Sequence, residues 1–212
     1  MRNKIKIAII GMGRISLKHL EAISSNSRHF DLVAICDNNE KKLKNFKKLN
    51  IKKYNNFKKL LKNEELDLVS ICTPSGLHSK QSILASKNKI NVICEKPMAL
   101  KVSDAKKMIL EAKKNDVKLF IVKQNRFNVP IVQLKKALDQ GRFGKLIMGT
   151  IRVRWCRPQA YYDQDSWRGT WAYDGGVLTN QASHHVDLLE WMMGDVESVF
   201  AKSKNALADI EA

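Results

Sequence analysis

The stretch IAIIGMGRIS, residues 7–16, decides the fold. Its apolar run reads as a strand buried on both faces, and the polar-patterned residues from Arg14 to about Ser25 read as a helix. Between them Gly11 and Gly13 occupy the first two positions of a G-x-G-x-x-G turn. Gly11 permits the tight turn, and Gly13 lets a pyrophosphate approach the backbone at a helix N-terminus, beside Arg14 and Ile15. Ser16 replaces the third glycine and is small enough for helix–strand packing. A glycine pair alone could be a plain strand–helix turn. Asp37, ending the next apolar run FDLVAICD (30–37), lies at the distance of a ribose-binding acid. Asn38 and Asn39 follow it with no arginine, which favours NAD over a 2′-phosphorylated cofactor.

Outward from this turn, strand and helix alternate. Strands are expected at 4–11, 30–37, 51–54, 66–74, 90–97 and 117–125. Helices are expected at 14–25, 40–49, 56–62, 76–89 and 102–115, the last with Ser103 as N-cap. That order means a doubly wound parallel sheet with helices on both faces, a dinucleotide-binding domain over 1–122. After Asn125 the rhythm changes. A helix over 129–144, a strand over 145–158, an aromatic polar loop over 159–176, one helix over 177–194 and a strand over 196–205 predict an α+β domain spanning 123–212. Two strands make no stable sheet, so the sequence reads as truncated.

Composition narrows the function classes. The chain has 212 residues, a 44% hydrophobic fraction and a formal charge of +17. No apolar run approaches the roughly 20 residues that span a bilayer. The IAII run is too short for a secretory signal, so a cytoplasmic location and no membrane partner are expected. The lysines concentrate at 41–62, mixed with Asn, Leu and Phe at helical spacing and without an arginine-rich recognition motif. They read as a solvated face rather than a nucleic-acid surface. Cys36, Cys72, Cys94 and Cys156 lack C-x-x-C spacing and read as reduced, buried residues.

Three further segments carry chemistry. CTPSGLH (72–78) ends a strand where ligands sit in such sheets, so Thr73, Pro74 and His78 could line the cofactor edge. Equally, Thr-Pro could simply break the strand, with His78 on a helix surface. VICEKPMAL (92–100) puts Glu95, Lys96 and Pro97 on that rim, where an ammonium can reach the nicotinamide position and proline stiffens the chain behind it. A lysine half-buried beside a positive ring would have a lowered pKa suited to proton transfer. In GGVLTNQASHHVDLLEW, Asn180, His184 and Asp187 fall at i, i+4 and i+7, one face of a helix, whereas His185 points about 100° away. That divergence of the two histidines argues against metal. His184 reads either as a proton acceptor for a hydroxyl or as a core histidine satisfied by Asp187.

In this combination and order, the G-x-G turn, TPSGLH, EKP and GG-V-L-x-N-x-x-x-H-x-x-D motif, the chain resembles the Gfo/Idh/MocA family of NAD(P)-dependent sugar and inositol oxidoreductases over essentially its whole length. NRFN (125–128) and the segment 154–195 look like its branch that oxidises UDP-N-acetylglucosaminuronic acid at carbon 3. The resemblance implies an enzyme with NAD as cofactor, Lys96 and His184 as catalytic residues, and Asn180 where the family often has Asp. Asparagine orients but cannot relay a proton. Glu95, Lys96, Trp167 and Arg168 are implied near the nicotinamide; Arg126, Arg157, Gln159 and Tyr161 are candidates for the anionic sugar nucleotide, with packing an equal reading for the aromatics. It also implies a longer chain of well over 300 residues with a mostly antiparallel open-faced C-terminal sheet, and a homo-oligomer, dimer or tetramer, formed through that sheet. Surface-polysaccharide sugar-nucleotide synthesis is the expected setting. The alternatives are an enzyme for inositol or a simple sugar, and a non-catalytic dinucleotide-binding protein.

Overall fold

The computed structural model describes residues 3–47 and 50–212, and the chain divides into two compact units, Met1–Val122 and Lys123–Ala212. In the first unit β1 (Ile5–Ile10), β2 (Phe30–Cys36), β3 (Lys52–Tyr54), β4 (Leu68–Ile71), β5 (Asn91–Cys94) and β6 (Leu119–Ile121) form one six-stranded sheet. Its order is β3-β2-β1-β4-β5-β6 and every pairing is parallel, so the order reverses beside β1. The apolar strand centres explain why: β4 is buried along its whole length, and Ile9, Ile35, Val69 and Val92 are sealed from solvent. Two apolar clusters fill the faces, one around Ile10, Leu60, Ile71 and Met108, the other around Ile9, Met12, Ile35 and Leu43.

The connecting helices are α1 (Ser16–Ser25), α2 (Glu40–Lys44), α3 (Phe57–Asn63), α4 (His78–Lys87) and α5 (Val102–Lys114). Asn39 and Asn56 cap α2 and α3 by accepting the main-chain N–H groups of Lys41 and Lys59. The helix expected over 40–49 ends at Lys44, and residues 48 and 49 lie outside the described residues. Ser103 is not the cap of α5: the helix starts one residue earlier, with Lys101 in extended backbone before it.

The second unit holds α6 (Val129–Asp139), α7 (Gln159–Tyr162), α8 (Gly176–Asn180) and α9 (Ser183–Met193). Three expectations fail here. Residues 145–158 and 196–205 are not strands, because a strand exists by the neighbour it hydrogen-bonds to and no ladder forms on them among the described residues. The single helix expected over 177–194 is two. Gln181 and Ala182 both turn their N–H groups onto the carbonyl of Val177, ending α8, and α9 restarts over the carbonyl of Ala182. Cys156 is exposed, whereas Cys36, Cys72 and Cys94 are buried. Burial holds the thiols of Cys36 and Cys94 up at about 12, so they stay protonated.

Candidate active site

In the first unit the predicted cofactor residues gather at the C-terminal ends of β1, β2, β4 and β5. Gly11 has φ +91°, and a Cβ there would meet the Cys72 main chain and Thr73 Cγ2 at 2.8 Å. Only glycine fits. A Cβ on Gly13 would meet nothing within 4 Å, so the protein itself leaves that space open to a ligand. Ser16 is fully buried and donates to the Gly13 carbonyl at 2.6 Å, filling the third position without strain. Arg14 and Ile15 are exposed at the entrance to α1.

Asp37 ends β2 as a buried carboxylate that accepts the Met12 N–H at 2.7 Å and the Asn39 N–H at 2.8 Å. It therefore braces the glycine turn as well as standing where a ribose would be met. Each oxygen keeps a further lone pair for a hydroxyl. Such a bed of an open glycine, a helix start and an acid fits a dinucleotide such as NAD.

Thr73 and Pro74 are half-buried, and Thr73 donates its hydroxyl to Gln81 at 2.6 Å. His78 departs from both expectations: it neither lines an open edge nor lies on a helix surface. It is 1% exposed, with Nδ1 2.7 Å from the Pro97 carbonyl and Nε2 2.8 Å from the Thr73 carbonyl. Burial pulls its pKa below the usual imidazole value against the pull of those two carbonyls. His78 ties the loop after β4 to the proline after Lys96.

Glu95 is buried, with Oε1 2.9 Å from His19 Nε2 and Oε2 accepting the Lys96 N–H at 3.1 Å. Lys96, half-buried at the end of β5, precedes a cis peptide bond to Pro97.

The second unit carries the other predicted residues. His184, on the first turn of α9, has Nε2 3.1 Å from the Gln124 amide nitrogen. The amide nitrogen can only donate, so Nε2 is the acceptor in this contact and its one lone pair is engaged there. Asp187 is turned to cations. It takes the Arg126 guanidinium in a two-pronged bond, both prongs 2.8 Å, and Lys123 at 3.4 Å. Burial works against the Asp187 charge, but these cations outweigh it and hold the carboxyl below its usual range. Arg126, a substrate candidate by sequence, is thus taken up within the protein and also packs over Trp191. Asn180 falls on α8, apart from the α9 face of His184 and Asp187, and donates to Asp174. Asp174 is buried and also accepts the Gly169 N–H at 2.7 Å.

Arg157, Tyr161 and Arg168 do come together. Both guanidiniums pack over the Tyr161 ring, at 4.9 and 4.5 Å from its centroid. The Tyr161 hydroxyl accepts from Arg168 at 2.7 Å and from Gln181 at 2.9 Å, and the Gln181 oxygen accepts from Arg157. Arg168 also packs over Trp167 and reaches Asp165. Arg157 meets an amide oxygen and two rings, so nothing in that set cancels its charge. Gln159 instead clamps the main chain of Asp209, with both its N–H and its carbonyl engaged. Gln181, which the sequence-based site omitted, is the hub; its place beside Asn180 was the only available signal.

Residues 5–123 match the model of the oxidoreductase family with an NAD-binding Rossmann fold, and residues 131–212 match the GFO/IDH/MocA C-terminal domain. A myo-inositol 2-dehydrogenase of Thermotoga maritima is 34% identical over 204 residues, 93% of this chain and 58% of that protein. The solved WlbA dehydrogenase of Bordetella pertussis, in complex with NADH and UDP-GlcNAcA, superposes with a TM-score of 0.97 at 42% identity, over 99% of this chain and 64% of that one. The WlbA dehydrogenase of Chromobacterium violaceum, with the same ligands, gives 0.97 at 40%, over 100% and 61%. The chain thus spans about three fifths of the length of these relatives. It belongs to the Gfo/Idh/MocA oxidoreductase family.

Proposed function

We propose that this family member serves the NAD-dependent oxidation of the carbon-3 hydroxyl of a UDP-linked N-acetylated uronic acid to the 3-keto sugar. The observation that carries this reading is the likeness to the two WlbA dehydrogenases, which covers 99% and 100% of this chain at 42% and 40% identity. The cluster of Arg157, Tyr161, Arg168 and Gln181 supports it, because paired guanidiniums beside an aromatic ring suit an anionic substrate. NAD, when bound, supplies the hydride acceptor. Gly11 and Gly13 make room for its phosphates, and Asp37 takes ribose hydroxyls and disfavours a 2′-phosphate. Proton removal from the sugar hydroxyl falls to Lys96 and His184, the substrate hydroxyl taking the place of the Gln124 amide at Nε2. Asn180 orients and does not titrate. Trp167 enters as an aromatic wall held by Arg168. The product suits an aminotransferase in cytoplasmic synthesis of surface-polysaccharide precursors, and the working form is a homo-oligomer.

The 34% identity to an inositol dehydrogenase favours a second reading, oxidation of a free cyclitol or simple sugar. Calorimetric titration of the NADH-loaded chain separates the two. Saturable binding of UDP-GlcNAcA that Arg157→Ala weakens, with no heat from myo-inositol, supports the first. The reverse pattern overturns it.

A further inference from the structure

We infer that His19 is a positioning residue for Lys96, acting through the Glu95 carboxylate. The residues concerned lie wholly within the first unit and form a buried pair outside the proton-handling groups. His19 sits on α1, one turn beyond Ser16, on the helix that begins at the glycine turn. Its side chain is 15% exposed and that of Glu95 8%, so their 2.9 Å contact is shielded from water. A carboxylate this deep needs a partner, since an uncompensated buried charge is strongly destabilising. Both Glu95 oxygens are directed: Oε1 to His19 and Oε2 to the main-chain N–H of Lys96. The His19 ring is itself oriented from behind, because Nδ1 lies 2.7 Å from the Ser70 hydroxyl on β4. Ser70 Oγ in turn lies 3.7 Å from Cys72 Sγ, at the foot of the loop that crowds Gly11. Burial opposes a charge on His19, but the influence of Cys72 and Glu95 outweighs that and raises its pKa to about 10.

A chain of contacts therefore runs from β4 through His19 to Glu95 and ends on the backbone that presents Lys96. The two sides of the imidazole have different duties. Nε2 aims the carboxylate, and Nδ1 only anchors the ring. Glutamine places its amide near the Nε2 position, whereas asparagine places it near Nδ1. A residue that merely fills space would treat the two substitutions alike.

The test uses the unliganded 212-residue chain and pulse acetylation of lysines, read residue by residue by mass spectrometry, with exposed Lys106 and Lys113 as internal references. In His19→Asn the Lys96 rate, relative to those references, rises roughly tenfold, as expected when one charge-assisted hydrogen bond is lost. In His19→Gln it stays within about twofold of wild type, because the donor to Glu95 is retained. A wild-type rate in His19→Asn, or an equal rise in both variants, overturns the inference. Circular dichroism checks folding. If His19→Asn unfolds, Ser70→Ala takes its place: release of the ring raises the Lys96 rate, and an unchanged rate overturns the inference. No substrate enters this experiment, so its failure is distinct from failure of the proposed activity.

Discussion

The two units are held together in different ways. The first is organised by a continuous ladder and an apolar interior, with Ile9, Ile35, Val69 and Ile71 removed from water. In the second, Leu188 is the one buried apolar side chain among the described residues. Order there comes from polar and guanidinium contacts: Arg126 on Asp187, Asn180 and Gly169 on Asp174, Gln159 on Asp209, and Arg157 and Arg168 around Tyr161. Meanwhile Ile147, Met148, Val199 and Phe200 are each more than four-fifths exposed. Burial of apolar surface is non-directional and tolerates small shifts, whereas hydrogen bonds must meet at set angles. The first unit is thus a platform, and the second a set of side chains fixed by specific partners.

Substitutions should divide along this line. The largest effect is expected from Ile35→Ala, which opens a cavity in a sealed core and should cost about 2–5 kcal/mol in urea unfolding. Gly11→Ala comes next: a residue forced to positive φ costs about 1–3 kcal/mol before its clash with Cys72 is counted, and NADH binding measured by fluorescence should be lost. Gly13→Ala should weaken NADH binding while leaving the unfolding midpoint in place, since its Cβ meets no protein atom.

In the second unit Arg126→Ala should cost about 1–3 kcal/mol at neutral pH, the value of a hydrogen bond to a buried charge. The Asp187 carboxyl titrates below its ordinary 3.8 when folded, so its contribution is present above that pH and lost as pH falls through the folded value. Acid unfolding of Arg126→Ala should therefore be less steep than that of wild type. The sign reverses for His19. Its folded pKa of about 10 exceeds the ordinary 6.5, so its contribution is complete below 6.5 and is lost as pH rises through 10. Thermal midpoints of wild type and His19→Gln should converge over that alkaline range. The smallest effect is expected from Phe200→Ala, within about 0.5 kcal/mol, because the ring is already in water.

Legibility in the sequence followed the same division. Runs such as IAII and LVSI announce buried parallel strands because the interior admits little else, and the glycine turn and Asp37 stand at their ends, joined through the Met12 N–H. Periodicity also put Asn180, His184 and Asp187 on one helical face, but the helix breaks at Gln181 and Ala182. The N–H groups of both turn onto the Val177 carbonyl there, and the Gln181 side chain goes to Tyr161 and Arg157, partners 20 and 24 positions away that no local pattern records.

By itself, then, the sequence determined the doubly wound order, the glycine turn and the rim on which Lys96 stands. Each depends on local propensity and on which residues must leave water. Only the tertiary structure decided what the polar side chains do. Arg126 goes to Asp187, His78 becomes a buried brace, Gln159 a clamp, and His19 reaches across 76 positions to Glu95. A hydrogen bond is chosen by what lies within about 3 Å in space, and that distance is set only once the chain has folded.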